Sequence, residues 1–206
     1  TFRGNLFIIL VGTVCIALLA IIGFTQKASA SGEFITTWKT DISTPDERTI
    51  SIPTNPAFTY DYTIDWGDGT IENNITTSLT HTYSSAGFYT INISGTFPHL
   101  YMNGYSDAIK IQSVESWGNI QWQSMDSAFK GASNMVINAS DVPDLSNVTS
   151  LSYMFGEARS VNNDISGWDV SNVTDFSYMF LRSSTFNQDI GGWDVSNGTN
   201  FSGMFF

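Results

Sequence analysis

Cysteine is almost missing from these 206 residues, and the single one, Cys15, sits inside an apolar run near the N-terminus. The rest of the chain therefore has no disulfide framework, no thiolate nucleophile and no cysteine metal site. Basic side chains are scarce as well: 8 Lys and Arg stand against 19 Asp and Glu, a formal net charge of −11. That balance excludes a nucleic-acid or anionic-membrane partner held through phosphate contacts. Charge of either sign is thin, at 13% of residues, while Asn, Ser, Thr, Gly and aromatics are plentiful, a composition typical of exported β-rich proteins. There are two histidines, and no phosphate loop, zinc signature or nucleophile elbow, so nothing in the sequence assembles a catalytic constellation. The chain reads as non-enzymatic and without a cofactor.

What is present begins with residues 6–24, "LFIILVGTVCIALLAIIGF", preceded by Arg3 and followed by "TQKASA". A basic flank, an apolar core and an Ala28-x-Ala30 site come in the order of an export signal, so residues 1–30 are expected to be a signal peptide. The core is longer than the about 7 to 15 residues usual for a signal, which keeps open an uncleaved hydrophobic helix anchoring the chain in a membrane. Either way the remainder is expected outside the cell, secreted or at its surface. The chain lacks an initiator Met and stops within a repeat, and is therefore expected to be a fragment truncated at its C-terminus.

Residues 31–97 carry five strand-like runs, "EFITTWK", "TISIP", "FTYDYTIDW", "SLTHTY" and "FYTINISGTF", separated by the turn-rich "STPDE", "GDGT" and "SSAG". Alternation of apolar and polar residues between turn signals predicts a small antiparallel sandwich. The phrase "YTIDWGDGT", followed by "HTYSSAGFYTINI", resembles the PKD domain, an immunoglobulin-like β-sandwich of surface and secreted proteins, through Asp65, Trp66, Gly67, Asp68, Gly69, His81, Tyr83, Gly87 and Tyr89. Asp68-Gly69 suits a tight turn whose backbone amides the Asp65 and Asp68 carboxylates accept. The same two carboxylates are the candidate Ca²⁺ ligands, although such an ion takes roughly six to eight oxygens. His81 is expected to pack rather than to catalyse.

Residues 98–124 read as a transition or capping segment. From 125 to 206 the chain repeats every 25 residues: Asn147, Asn172 and Asn197, then Met154, Met179 and Met204, then Phe155, Phe180 and Phe205, with Trp168 recurring as Trp193. A period of this size predicts a leucine-rich-repeat-like solenoid in which each copy buries its apolar face against its neighbours. Within one copy, Val173, Phe176, Met179 and Phe180 fit a short helix capped by Thr174, and "NDISGWDVS" reads as a short strand and turn. The Asn series is expected to satisfy backbone groups in tight bends. Asn-x-Ser/Thr matches at these positions read as coincidence, because a ladder Asn is expected to be buried. The tryptophans are assigned to the core, and Tyr178 is the candidate ligand contact.

The wording "FNQDIGGWDVSNGTNFSGMF" resembles BspA-like leucine-rich-repeat bacterial surface proteins, where such runs follow a domain with this kind of "DWGDGT". The resemblance implies a mainly β chain: a PKD-like sandwich, then a 25-residue-repeat solenoid of short strands and short helices. It implies a surface or secreted adhesion protein whose repeat presents an extended face to an extracellular protein or glycan. The alternative is a non-catalytic carbohydrate-targeting or architectural module of a larger secreted enzyme or surface layer.

Overall fold

The computed structural model describes residues 32–41 and 45–206. The expected signal or anchor, with its apolar helix at 6–24 and Cys15, lies outside the described residues. Among those described, no helix is long and apolar enough to cross a membrane.

Eight strands form among the described residues: β1 (Phe34–Lys39), β2 (Thr49–Ile52), β3 (Asp61–Asp65), β4 (Ile71–Ile75), β5 (Leu79–Thr82), β6 (Phe88–Thr96), β7 (Ile111–Ser116) and β8 (Val136–Ile137). Six of them make one sheet in the order β4-β3-β6-β1-β7-β8, and β2 pairs with β5 as a second, two-stranded sheet. β1 sits inside the large sheet, with β6 antiparallel on one side and β7 antiparallel on the other. Its run "FITTWK" accordingly buries Phe34, Ile35, Thr36 and Trp38 rather than alternating cleanly, and the Trp38 indole N–H donates to the Thr36 hydroxyl at 2.8 Å. Without that partner a buried indole N–H would cost about 1–3 kcal/mol.

This arrangement corrects the immunoglobulin-like, PKD-like sandwich expected for 31–97. The sheet does not close within that segment: β7 adds to β1 from beyond residue 97, and β8 adds to β7 in parallel. The result is a mixed six-stranded sheet. The free edge of β1, available to any nearby segment with a strand-like pattern, decides this, and the pairing partner is distant in sequence.

The solenoid of short strands and short helices is corrected too. No α-helix occurs among the described residues, and beyond β8 the extended pairing is limited to isolated parallel bridges, Ser150 to Asp175 and Asp175 to Asn200. Instead, residues 125–206 form layers of consecutive tight turns, stacked at the 25-residue period. The expected helix after Thr174 fails because its amides bond sideways. Phe176, Tyr178, Phe180 and Arg182 donate to the carbonyls of Asn200, Ser202, Met204 and Phe206, where a helix would turn them back four residues. Tyr178 and Arg182 have φ of 55° and 54°, a left-handed setting that interrupts any right-handed helix. Thr174 is no cap: its hydroxyl donates to the Thr149 carbonyl of the preceding layer at 3.1 Å. The i, i+3, i+7 apolar spacing that suggested a helix equally serves two successive turns closed by Met179 N–H to Phe176 and Leu181 N–H to Tyr178.

One apolar cluster runs from Phe34 in β1 to Met204. Trp117, just past β7, carries it across, with ring centroids 6.0 Å from Phe34, 5.9 Å from Phe129 and 5.4 Å from Trp168.

Candidate functional site

Two places collect the residues singled out by the sequence. The first is the "DWGDGT" turn between β3 and β4. Asp65 accepts the Gly67 N–H at 2.9 Å and Asp68 accepts the Thr70 N–H at 3.0 Å, each carboxylate bridging two residues forward as Asx turns do. Gly67 has φ +78°, and a Cβ there would lie 2.3 Å from the Thr90 carbonyl of β6, so glycine is needed for both conformation and space. The other Asp68 oxygen meets His81 Nε2 at 2.8 Å. Burial pushes the Asp68 carboxyl up, but the bonds with His81 and Thr70 together hold it below the ordinary carboxylate value. His81 lies flat on Trp66 at 5.0 Å and edge-on to Tyr83 at 4.6 Å, and the buried Tyr83 hydroxyl donates to the Trp66 carbonyl at 2.9 Å. Asp65 and Asp68 thus serve the turn. Among the described residues, no three His, Cys, Asp or Glu side chains gather as a metal group.

The second place is the stack of turn layers. Met154 and Met179 are fully buried, as are Phe155 and, within 3%, Phe180; Met204 lies at 9% and Phe205 at 64% exposure. Trp168 and Trp193 are buried at 5% and 8%, and the Trp193 indole N–H donates to the Ile165 carbonyl at 3.1 Å. Asn172 and Asn197 are exposed, and their Nδ2 groups donate to the carbonyls of Ser146 and Ser171 in the layer before. Burial is therefore not the reason against glycosylation at these positions; the amide nitrogen is simply engaged. Asn147 is likewise exposed.

The tight bends carry a recurring device. Asp144, Asp164, Asp169 and Asp194 each accept the N–H of the serine two residues on, at 2.9–3.1 Å, and Asp189 does the same for Gly191. For Asp169 the bonds from Ser171 hold the carboxyl down against burial and the nearby Asp194. Asp-x-Ser, at 144–146, 164–166, 169–171, 175–177 and 194–196, marks turns in place of helix and strand.

On one side of the stack, Ser127, Tyr153, Tyr178 and Gly203 occupy equivalent left-handed positions, φ 53–60°. The half-buried rings of Tyr153 and Tyr178 stack at 4.7 Å and 19°, with the Lys130 ammonium 4.5 Å from the Tyr153 centroid. A Cβ at Gly203 would lie 2.4 Å from the Tyr178 ring, so the missing side chain there lets Tyr178 lean over the following layer. Next to this row, Gly131, Glu157 and Arg182 form a second left-handed series, with Arg182 and Glu157 3.9 Å apart. An open cleft of about 690 Å³ elsewhere is lined by Lys39, Asp41, Glu47, Lys110, Gln112 and Asn134, and its Lys110 is held by Asp107 at 2.7 Å and the Thr49 carbonyl at 2.6 Å.

Fold and site together define a mixed β-sheet continued by stacked turn layers with a variable row of side chains along one face. The family model described as "Mycoplasma protein of unknown function, DUF285" matches residues 100–206, and the chain belongs to that family. This match and the absence of α-helices among the described residues replace the expected kinship with BspA-like leucine-rich-repeat proteins. No curated protein and no solved structure matches the chain.

Proposed function

We propose that the chain is a non-enzymatic bacterial binding protein, secreted or held at the cell surface, whose turn layers present one face to an extracellular protein or glycan. The observation that carries this reading is the Tyr153–Tyr178 row: the two layers that share a buried Met and Phe, at 154–155 and 179–180, stack half-buried tyrosines at the same left-handed position. The left-handed backbone persists while the residue at this position runs Ser127, Tyr153, Tyr178, Gly203. Stacked tyrosines with a flanking cation offer apolar faces and hydroxyl edges at low entropic cost, which suits protein and sugar partners alike. The apolar residues 6–24 with their Ala-x-Ala site support export.

The full chain is to be expressed in a bacterial host, and intact cells tested with an antibody and with panels of immobilised extracellular proteins and glycans. Labelling of intact cells, with binding to one panel that falls at least tenfold in Tyr153→Ala/Tyr178→Ala, is expected. Chain confined to the cell interior, or binding that the double variant leaves untouched, would sink the reading. Binding to polysaccharide alone would favour the carbohydrate-targeting module.

A further inference from the structure

Glycine directly follows asparagine twice in the chain, at Asn103-Gly104 and Asn197-Gly198. Such a pair carries a reaction of its own: the glycine nitrogen can attack the asparagine side-chain carbonyl carbon and close a five-membered ring, since no glycine Cβ hinders the approach. The fold treats the two pairs differently. At the second, the Gly198 N–H donates to the Val195 carbonyl at 2.8 Å and the Asn197 Nδ2 donates to the Ser171 carbonyl at 2.8 Å, so both reacting groups are held. At the first, the Tyr105 N–H closes a turn on the Met102 carbonyl at 3.0 Å, and Gly104, at φ +82°, takes the glycine position of a type II turn. The Gly104 N–H inside that turn has no acceptor among the described residues. Asn103 and Gly104 are both exposed, and the space that a Cβ on Gly104 would enter is open. The Asn103 side chain is also polarised. Its Oδ1 accepts from the Lys130 ammonium at 2.9 Å, and its Nδ2 donates to the Tyr101 hydroxyl at 3.1 Å. An ammonium has only donors, which fixes the end of the amide that faces it. A cation on Oδ1 draws electrons from Cγ and stabilises the negative charge that the oxygen acquires on attack.

We propose that Asn103 is a site of self-modification by deamidation, promoted by Lys130. Hydroxide takes the Gly104 N–H proton, the nitrogen electron pair forms a bond to Cγ of Asn103, and the carbonyl electrons move to Oδ1. As the carbonyl re-forms, the Cγ–Nδ2 bond breaks and the side-chain nitrogen leaves as ammonia with a proton from water, giving a succinimide. Water then opens the ring. Cleavage between the ring nitrogen and Cγ gives Asp; cleavage between that nitrogen and the backbone carbonyl carbon gives isoaspartate, whose extra main-chain carbon disrupts the turn to Tyr105. The net change is one water consumed and one ammonia released, with no oxidation or reduction. The Asp product sets a carboxylate against Lys130, whose ammonium lies 4.5 Å from the Tyr153 ring centroid, and so neutralises the positive charge beside the tyrosine row. The chemistry itself is independent of any binding role of that row.

The test incubates the full 206-residue chain in mild detergent at mildly alkaline pH, then follows conversion of each asparagine by proteolytic digestion and mass spectrometry, with isoaspartate measured by enzymatic methylation. In the folded chain Asn103 is expected to convert roughly tenfold or more faster than Asn197, and in urea the two rates are expected to converge. Equal rates in the folded chain, or faster conversion of Asn197, would overturn the proposal. Lys130→Met, its fold verified by near-ultraviolet circular dichroism, is expected to slow Asn103 roughly threefold or more and to leave Asn197 unchanged, while Lys130→Arg keeps most of the rate. Unchanged or faster conversion of Asn103 in Lys130→Met would overturn promotion by Lys130 and show the contact to be a restraint.

Discussion

The mixed sheet and the turn layers share one apolar core but solve backbone bonding differently. In the sheet, neighbouring strands run mostly antiparallel, and the central ones exchange donors and acceptors with partners far apart in sequence: β1 with β6, then with β7. In the layers, each segment bonds to its counterpart 24 or 25 residues on, and alternate amides along 125–131, 151–157 and 176–182 point forward. The sheet is a specific set of pairings, whereas the layers are one pairing repeated. A defect in the sheet should therefore stay where it is made, while a defect in a layer removes a surface on which the next one rests.

The largest expected effect breaks the layers. Trp168→Ala removes a buried ring in edge contact with Trp117 and costs ~3–5 kcal/mol. Chemical denaturation should show the loss, with proteolysis beginning beyond residue 168; a near-neutral result would place the ring outside the core. Gly67→Ala is the corresponding blow to the sheet. Its Cβ would meet the Thr90 backbone, which cannot step aside as a side chain can, and the left-handed φ adds strain of ~1–3 kcal/mol. Gly203→Ala sharpens the contrast, since its clash is with the movable Tyr178 ring at a φ that Tyr153 and Tyr178 themselves adopt. A loss of about 1 kcal/mol or less with altered tyrosine circular dichroism is expected; a loss as large as that of Gly67→Ala would show the two clashes to be alike.

Acid should find the two regions at different pH. His99, 1% exposed, donates from Nε2 to the Asp126 carbonyl at 2.8 Å, while its buried Nδ1 has no partner. Burial holds its pKa below the ordinary value, opposed by the Asp126 carbonyl. The unfolded chain takes up this proton first, so stability falls as pH drops below about 6.5, at the join of sheet and layers. Asp68 has its pKa lowered in the fold, so its contribution is present above the unfolded carboxylate value, about 3.9, and is lost below it as pH falls through the folded value. Denaturation at several pH values should show the first decline vanish in His99→Gln and the second persist. The smallest effect is that of Asn172→Ala. It removes one exposed bond to the Ser146 carbonyl, about 0.5–1.5 kcal/mol, detectable as faster amide exchange near Ser146 and not as unfolding.

Five of the strands were legible because their patterns are local: "TISIP", "FTYDYTIDW", "SLTHTY", "FYTINISGTF" and "EFITTWK" each contain the strand found. β4, "IENNI", was missed because it has little apolar content, with Ile71 54% exposed; pairing with β3 holds it. In the site, the Asp65 and Asp68 turn bonds followed from Asp-Gly chemistry, whereas the Tyr153–Tyr178 stack needed the left-handed backbone to bring position 178 over 153. Gly198, which stands where Val173 stands one repeat earlier, has a spatial reason: a Cβ there would lie 2.4 Å from the Phe201 ring, which stacks on Phe176 at 5.1 Å.

The 25-residue period, the buried Met, Phe and Trp positions and the turn chemistry of Asp-Gly and Asp-x-Ser could be read from residue order alone, because periodic burial and short-range side-chain bonds are written within a few residues. Where the backbone amides go was settled by the packing of one layer on the next. An apolar spacing of three and four residues serves a helix or a pair of turns equally, and the choice fell to turns once each amide had a carbonyl waiting one layer away.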